Sequence, residues 1–243
     1  MARVPGLEPA KSRLHGPLGV EAATLLYRCF LLDQLDAVIA LAPRIVPLVA
    51  FTPVRGRSRM AALAPPRLRL VAQEEGHLGQ RMSRLLAGLL GDGHRGAIVM
   101  GSDLPTLPMD HVLEAAGMLE TDRADLVLGP SDDGGYYLVG LTRPAPALFD
   151  GIPWSTAQVL ALTLDRARGL GLRVHLLPPW YDVDTAADLA RLMADLAATP
   201  AGPPRPRRVH AALHPRGQVL QYDIGPRGPS GVAAGDQGDE AAH

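Results

Sequence analysis

Hydrophobic positions along the chain follow two alternating spacings. Five stretches repeat their apolar residues every three to four positions, which predicts helices with one buried face over 20–36, 78–91, 109–120, 157–168 and 185–197. Six shorter apolar runs predict strands near 45–52, 67–72, 96–101, 124–129, 135–141 and 172–177. This alternation indicates an α/β fold, with a mostly parallel sheet covered by helices on both faces in three α/β/α layers.

The composition changes near residue 200. From Pro200 to His243 about one third of the residues are Pro or Gly, and few are large and apolar. We therefore predict one domain over 1–199 and a mostly disordered tail over 200–243. The basic residues Arg205, Arg207 and Arg208 could contact phosphate, although the composition favours a solvated tail.

Charge and hydropathy exclude several classes of partner. The formal net charge of −1 over 243 residues predicts neither a nucleic-acid partner nor a membrane-surface partner. No uninterrupted apolar run is long enough to span a membrane, and the N-terminus lacks the apolar core of a signal peptide, so we expect a cytoplasmic protein. The single cysteine, Cys29, falls on an apolar helical face, which favours a buried thiol over a nucleophile.

Acidic residues follow two of the predicted strands. In an open parallel sheet, ligands bind beyond the carboxyl ends of the strands. The segment "GSDLPTLP" places Ser102 and Asp103 directly after a strand, and its prolines delay the next helix, so Asp103 is better explained as a ligand contact than as a helix cap. Asp182 and Asp184 follow the last strand, but Asp184 also precedes a predicted helix, and both interpretations of it stay open.

The chemistry of these loops points to a metal and a phosphate. Carboxylates of Asp103, Asp182 and Asp184 without a His or Cys suit Mg²⁺ or Mn²⁺, which also bind phosphate oxygens. In "PGLEPAKSRL", Lys11 and Arg13 could neutralise a diphosphate. The segment is not a Walker loop, because the Gly-Lys-Ser/Thr ending is absent.

Three further segments have both a structural and a ligand-binding interpretation. In "VLGPSDDGGYYLVGL" the acids and glycines fit a hairpin turn or a loop that approaches a ligand. In "QEEGHLGQRM", Gly76 and Gly79 could let the backbone lie against a flat base. In "GIPWSTAQVL", Ser155 and Thr156 could cap a helix or bind phosphate.

Six segments of the chain, in their order along it, resemble the bacterial DUF2064 family of glycosyltransferase-like proteins. They are "PGLEPAKSRL", "QEEGHLGQRM", "GSDLPTLP", "GPSDDGGYYLVGL", "IPWSTAQVL" and "DVDTAADL". The resemblance covers roughly Ala2 to Leu196. It implies a GT-A-like fold, similar to nucleotide-diphospho-sugar transferases and related to the guanylyltransferase that activates phospholactate.

The resemblance also implies roles for individual residues. Lys11, Arg13 and Asp103 would be catalytic, and the metal would be held by Asp103 with Asp184 or, less directly, Asp182. The implied substrate contacts are Pro5, Gly6 and Ser102 near the phosphates, Gln73, Gly76, Leu78 and Gly79 along the nucleobase, Asp132, Asp133, Gly134 and Gly135 on the acceptor side, and Ser155 and Thr156.

Three functions are compatible with these motifs. The resemblance favours metal-dependent glycosyl transfer from a nucleotide-sugar to an unidentified small-molecule acceptor. Nucleotidyl transfer from a nucleoside triphosphate, with release of pyrophosphate, is an alternative. A non-catalytic nucleotide-binding scaffold is another, because "MARV" stands where the family has a hydrophobic strand. We therefore expect the first strand to be missing or truncated, and five to seven apolar residues to be encoded upstream of Met1. His77 also stands where the family more often has an acid, which bears on the sugar or base contacts there.

Overall fold

The computed structural model describes residues 1–198 and 206–213. Within them the helices are α1 (His15–Leu18), α2 (Val20–Ile39), α3 (Arg57–Leu63), α4 (Leu78–Gly91), α5 (Met109–Glu120), α6 (Val159–Gly169), α7 (Ala186–Ala198) and α8 (Arg207–Leu213). The five predicted helices are confirmed as α2, α4, α5, α6 and α7. Three short helices were not predicted, because four to seven residues do not establish a period.

The strands are β1 (Ala2–Arg3), β2 (Leu48–Thr52), β3 (Arg69–Ala72), β4 (Ala97–Met100), β5 (Leu126–Pro130), β6 (Tyr136–Leu141) and β7 (Val174–Leu176). They form a parallel sheet in the order β1-β2-β3 and a second sheet in the order β4-β6-β5-β7. In the second sheet β6 runs antiparallel to both of its neighbours, while β5 and β7 are parallel. The fold is thus α/β with mostly parallel pairing, as predicted.

Helices cover both faces of the second sheet. On one face Leu126 and Leu128 pack with residues of α4 and α6. On the other face Val127 and Leu138 pack with residues of α5. Since successive residues of a strand point to opposite faces, a strand that is apolar throughout is buried on both sides. This packing confirms the three-layer arrangement.

The first strand is truncated, as expected, and the sheet is consequently divided. β1 contains two residues and pairs with β2 only at Phe51 and Thr52. No strand among the described residues pairs with β4 on the side away from β6. β1 is too short to join β2 to β4, so the strands form two sheets.

Residues 206–213 lie in the predicted tail but form α8, which packs on α2. The Asp33 carboxylate accepts hydrogen bonds from the backbone N–H groups of Arg208 and Val209, at 3.2 and 2.9 Å. The Arg208 guanidinium donates to Asp33 and to Asp36 at 3.0 and 2.6 Å. A carboxylate from α2 thus caps the start of α8. These residues are therefore ordered, unlike the mostly disordered tail that the composition predicted. The rest of the predicted tail lies outside the described residues.

Two smaller expectations concern Cys29 and the membrane. Cys29 is buried beside α7 and α8, so the expectation of a buried thiol is confirmed, and burial raises the pKa of this thiol to about 11. Among the helices of the described residues, none has both the length and the apolarity that crossing a bilayer requires.

Candidate functional site

Loops from four strands meet at one edge of the molecule. β4, β5 and β7 point the same way, because β4 and β5 are both antiparallel to β6 and β7 is parallel to β5. Their carboxyl ends lead into the loops that carry Asp103, the turn 131–135 and Asp182–Asp184. The loop after β1 brings Lys11 to the same place. The convergence expected at the carboxyl ends is therefore present.

Lys11 lies at the centre of this cluster. Its Nζ is 3.0 Å from Asp103 Oδ1 and 2.8 Å from Asp184 Oδ1, and its side chain is 2% exposed. Its backbone is left-handed, with φ 56°, which is uncommon for a residue with a side chain. Lys11 is also the only lysine of the chain, whose other cationic side chains are arginines. A buried ammonium group is thus held between two carboxylates.

The backbone of Asp103 is held by a hydrogen bond, and its side chain lies in the cluster around Lys11. Its carbonyl oxygen accepts a hydrogen bond from Val183 N at 3.1 Å, which joins the loop after β4 to the loop after β7. Its buried Oδ1 faces Lys11 as an ion pair but receives no hydrogen bond within the described residues. This oxygen already lies 3.0 Å from the ammonium group of Lys11, so a metal cation bound here would share it with that group.

Asp182 shows that negative charge is in excess here. Burial raises the pKa of Asp182 to about 6, and the neighbouring carboxylates of Asp103, Asp184 and Asp133 contribute to the increase. A hydrogen bond from Ser131 Oγ, at 2.7 Å, acts in the opposite direction and lowers the pKa. The ammonium group of Lys11 pairs with Asp103 and Asp184, whereas the carboxylate of Asp182 is bonded to Ser131. The cluster would therefore be stabilised by a further cation.

The two interpretations of Asp184 can now be separated. Asp188 Oδ2 accepts hydrogen bonds from the backbone N–H groups of Asp184 and Thr185, and from Thr185 Oγ1. Asp188 N is 3.3 Å from Thr185 Oγ1, which completes a reciprocal cap at the start of α7. Capping is done by Thr185 and Asp188, and the carboxylate of Asp184 contacts Lys11 instead.

The turn 131–135 joins β5 to antiparallel β6, so the hairpin interpretation of these residues is correct. Asp133 Oδ1 accepts from Gly135 N at 2.9 Å and stabilises the turn. Asp132 forms an ion pair with Arg191 at 2.7 Å. Gly134 has φ +86°, and a Cβ there would lie 2.3 Å from the Ala157 carbonyl oxygen. Glycine is required here by packing; a contact of this turn with an acceptor stays a prediction.

The loop 152–158 packs between this turn and α4. Trp154 lies against Gly79, where a Cβ would be 2.4 Å from the indole ring, so close packing explains that glycine. Ser155 has φ 68° and is exposed. Thr156 Oγ1 donates to Pro153 O at 2.8 Å and accepts from Gln158 N, as a residue of a helix start does. Phosphate binding by Ser155 and Thr156 stays a prediction.

The predicted nucleobase segment is ordered mainly by contacts within the protein. Gln73 Nε2 donates to Ala50 O at 2.9 Å and to Ala2 O at 3.3 Å, so its amide joins the ends of β1 and β2. His77 caps α4 through a reciprocal pair with Gln80, while Gly76 has φ +126°. Leu78 is 38% exposed and is available to an incoming ligand.

The remaining predicted contacts differ in accessibility. Gly6 and Arg13 are exposed, whereas Pro5 is buried. Arg13 forms no ion pair within the part of the chain that the structure describes, so its guanidinium is free for an anion. Ser102 is buried, and its Oγ lies 3.1 Å from the Tyr27 hydroxyl, which also bonds to the backbone of Arg3. Ser102 therefore holds β1 beside β4.

The sequence reasoning missed a row of arginines. Arg55, Arg57 and Arg59 are exposed and begin three residues after β2 ends at this edge. Arg59 Nη1 donates to Gly6 O at 3.2 Å, which places the row beside the loop that carries Lys11. Their position directly after a strand is the signal in the sequence that identifies these residues.

The residues present fit a divalent cation. Mg²⁺ commonly takes one or two protein carboxylates and completes its shell with water and phosphate oxygens. Asp103 and Asp184 supply such a pair, and Asp103 Oδ1 is a buried oxygen with no hydrogen-bond donor. Within residues 1–198 and 206–213, no group of three acidic, His or Cys side chains is arranged to enclose a metal. A pair of carboxylates leaves most of the coordination shell of such an ion to water or to a ligand.

Comparison with known proteins agrees with the fold. The model of the family described as "Uncharacterized protein conserved in bacteria (DUF2064)" matches residues 32–156, which is 125 of 243 residues. The crystal structure of a "putative nucleotide-diphospho-sugar transferase" from Desulfovibrio desulfuricans G20 is 32% identical, with a TM-score of 0.76, and covers 82% of this chain and 86% of its own.

A second solved structure, that of CMP:2-keto-3-deoxy-manno-octonic acid synthetase with CTP, is 13% identical. Its TM-score is 0.49, and it covers 69% of this chain and 87% of its own. No curated protein sequence matches this chain.

Proposed function

The chain belongs to the DUF2064 family, and from this premise we propose that it is a metal-dependent transferase whose donor is a nucleotide-activated sugar. The observation that carries the proposal is the cluster of Lys11 with Asp103 and Asp184 at the carboxyl ends of the strands. A donor of this kind presents a diphosphate, and both the ammonium group and the metal-binding carboxylates are complementary to it. The name of the 32% identical protein from Desulfovibrio desulfuricans G20 supports the same donor class.

The chemistry requires charge stabilisation more than a protein nucleophile. The bond between the anomeric carbon and a diphosphate oxygen breaks, and the acceptor nucleophile bonds to that carbon and releases its proton to solvent. Negative charge then accumulates on the departing diphosphate, where Lys11 and the exposed Arg13 neutralise it. Asp103 and Asp184 would hold Mg²⁺ or Mn²⁺, which supplies Lewis-acid stabilisation of the same charge.

Calorimetry with and without Mg²⁺ tests the proposal, using nucleotide-sugars, nucleoside diphosphates and nucleoside triphosphates as ligands. We expect Mg²⁺-dependent binding of a nucleotide-sugar. Asp103→Asn should lower that affinity about tenfold or more, because removal of a hydrogen-bonded or ion-paired charge at a ligand costs at least 1.4 kcal/mol. Its melting temperature should stay within a few degrees of the parent, since the Asp103 side chain is 35% exposed.

Asp92→Asn is the matched control. Asp92 is 49% exposed and pairs with Arg69, the first residue of β3, at the opposite edge of the sheet. It should leave nucleotide affinity unchanged. Equal affinity of Asp103→Asn and the parent would remove Asp103 from the site. Binding of triphosphates in preference to nucleotide-sugars would move the assignment to nucleotidyl transfer, and failure of all three ligand classes to bind would favour a scaffold.

A further inference from the structure

Three arginines stand out because they lack acidic partners. The arginine row, Arg55, Arg57 and Arg59, is exposed, and none of its members forms an ion pair within the described residues. The sequence around the row is strongly basic, because residues 37–73 contain six arginines and no Asp or Glu, whereas the whole chain has a formal net charge of −1. Positive charge concentrated in one segment of a balanced chain indicates an anionic partner at that place.

Packing holds the backbone of the arginine row against the loop after β1. Gly56 lies within the row and is buried, and a Cβ at this position would lie 2.6 Å from Val4 Cγ2 and 2.7 Å from Leu7 Cδ1. Met60 directly follows the row and is fully buried in the same core cluster as Val4. The row is therefore built on closely packed backbone, beside the loop that carries Lys11.

The side chains of the row are oriented without using most of their hydrogen-bond donors. Arg59 Nη1 donates to Gly6 O at 3.2 Å, and the other N–H groups of this guanidinium have no partner among the described residues. The Arg57 guanidinium lies 5.3 Å from the centre of the Phe51 ring, a cation–π contact that uses no N–H group. Guanidinium groups with unused N–H donors bind the paired oxygens of phosphate and carboxylate groups.

The neighbouring acids do not neutralise the row. The loops on either side of it, after β1 and after β3, contain Glu8, Glu74 and Glu75. Glu74 pairs with Arg84 at 3.6 Å, and Glu8 and Glu75 form no ion pair in the part of the chain that the structure describes. An anion that reaches the row therefore meets guanidinium groups that no carboxylate already occupies.

The diphosphate assigned to Lys11 does not account for the row. The Lys11 ammonium group is enclosed and lies between Asp103 and Asp184 at 3.0 and 2.8 Å, whereas the row is exposed and has no acidic partner among the described residues. Both positions adjoin the loop after β1, since Arg59 reaches that loop at Gly6. Two positively charged positions beside one loop can hold two different anionic groups.

We propose that the arginine row is a second anion subsite, and that the substrate carries a phosphate or carboxylate group in addition to the diphosphate of the donor. This inference rests on the proposed function, because it places the diphosphate at Lys11. The second group belongs either to the donor, joined to its diphosphate, or to the acceptor, and its chemistry at the row is the same in both cases. A nucleic acid is disfavoured as the ligand, because the row is a single compact patch on a chain of net charge −1.

Calorimetry at a constant Mg²⁺ concentration tests the proposal with ligands that contain no nucleobase. Tripolyphosphate and pyrophosphate differ by one phosphate group, which represents a group joined to the diphosphate. Glucose 6-phosphate, added after saturation with pyrophosphate, represents an anionic acceptor. The parent should bind tripolyphosphate roughly tenfold more tightly than pyrophosphate, or bind glucose 6-phosphate saturably, and the result identifies which molecule carries the second group.

The double variant Arg55→Met/Arg57→Met removes two cations of the row and keeps the bond between Arg59 and Gly6. It should weaken the binding of the responding ligand by roughly tenfold, with pyrophosphate affinity within about threefold of the parent and an unchanged melting temperature. Arg67→Met is the matched control, because Arg67 is exposed and lies just before β3, at the opposite edge of the sheet. It should change none of these affinities.

The outcomes separate this proposal from the proposed function. If the parent binds pyrophosphate but neither prefers tripolyphosphate nor binds glucose 6-phosphate, or if the double variant binds them as the parent does, the second subsite is overturned and the diphosphate site stands. Failure of the parent to bind pyrophosphate would remove the diphosphate site itself, and both proposals with it. If the double variant instead loses only the binding of a single-stranded oligonucleotide, the row is assigned to nucleic acid and the second subsite is overturned.

Discussion

Lys11 Nζ lies 2.8 Å from Asp184 Oδ1, although 173 residues separate the two along the chain. This ion pair connects the loop after β1 to the loop after β7. Asp103, in the loop after β4, also lies 3.0 Å from the same ammonium group. A single side chain thus joins three loops from two different sheets. We therefore expect the stability of this edge and its affinity for anions to depend on the same ammonium group.

Replacing Lys11 with Met removes the charge and keeps a side chain of similar length. The carboxylates of Asp103 and Asp184 would then lack their common partner, and we expect the free energy of unfolding to fall by about 1–2 kcal/mol. The figure is below that of a fully buried pair, because Asp103 and Asp184 are 35% and 46% exposed. Nucleotide affinity should fall more than tenfold. Urea unfolding and calorimetry measure the two effects.

Arg69→Met is the control for this experiment. It also deletes one cation from an ion pair, but its side chain is 62% exposed, so its effect on stability should stay within 0.5 kcal/mol. If Lys11→Met proves as stable as the parent and binds nucleotide equally well, the ammonium group holds neither the loops nor the ligand.

The carboxyl group of Asp182 should make stability depend on pH. Its pKa is raised from 3.8 to about 6 in the folded chain, chiefly by burial, so the folded state holds a proton that the unfolded state has lost. Stability should therefore decrease as the pH rises from about 4 to about 6, and stay lower above that. Asp182→Asn, which is neutral throughout, should exceed the parent by on the order of 2 kcal/mol at pH 7. Urea unfolding from pH 4 to 7 in EDTA tests this.

Asp125→Asn provides the comparison. Hydrogen bonds from Arg173 hold the pKa of the Asp125 carboxyl at about 2, so its titration lies below this pH range. The difference between this variant and the parent should be constant from pH 4 to 7. A constant difference for Asp182→Asn as well would show that Asp182 is not protonated near pH 6.

The contact between α8 and α2 should contribute to stability. Arg208→Met leaves the buried carboxylate of Asp33 without its guanidinium partner, although the backbone N–H groups of α8 still donate to it. We expect a loss of about 1–3 kcal/mol, measured by urea unfolding. Arg207→Met, one residue earlier and exposed, should change stability by less than 0.5 kcal/mol. Equal effects of the two variants would mean that α8 does not dock on α2 in solution.

The sequence predicted what a local pattern can encode. Helices 78–91 and 109–120 were predicted to the residue, because their apolar positions repeat with a clear period and their ends have recognisable caps or prolines. The meeting of Asp103 with Asp184 followed from a general property of parallel sheets. Both results required no knowledge of distant contacts.

The parts that could not be predicted are pairings between distant residues. Asp33 caps α8 from 175 residues away, and nothing in "HAAL" or "LLDQLD" indicates that the two segments meet. Gly79 and Gly134 were interpreted as places where a substrate approaches, whereas the structure explains both by packing, against Trp154 and Ala157. A glycine in the sequence can indicate limited space or a positive φ. Which neighbouring atom limits the space depends on tertiary contacts, and these cannot be read from the sequence.

The division of the sheet has a consequence for ligand affinity. Lys11 is attached to the sheet that contains β1, whereas Asp103 and Asp184 are attached to the sheet that contains β4 and β7. Any ligand that bridges these residues must hold the two sheets at a fixed separation, and any motion between them carries an entropic cost at binding. A diphosphate that bridges Lys11 and a metal held by Asp103 and Asp184 would therefore bind more tightly under any condition that already limits this motion.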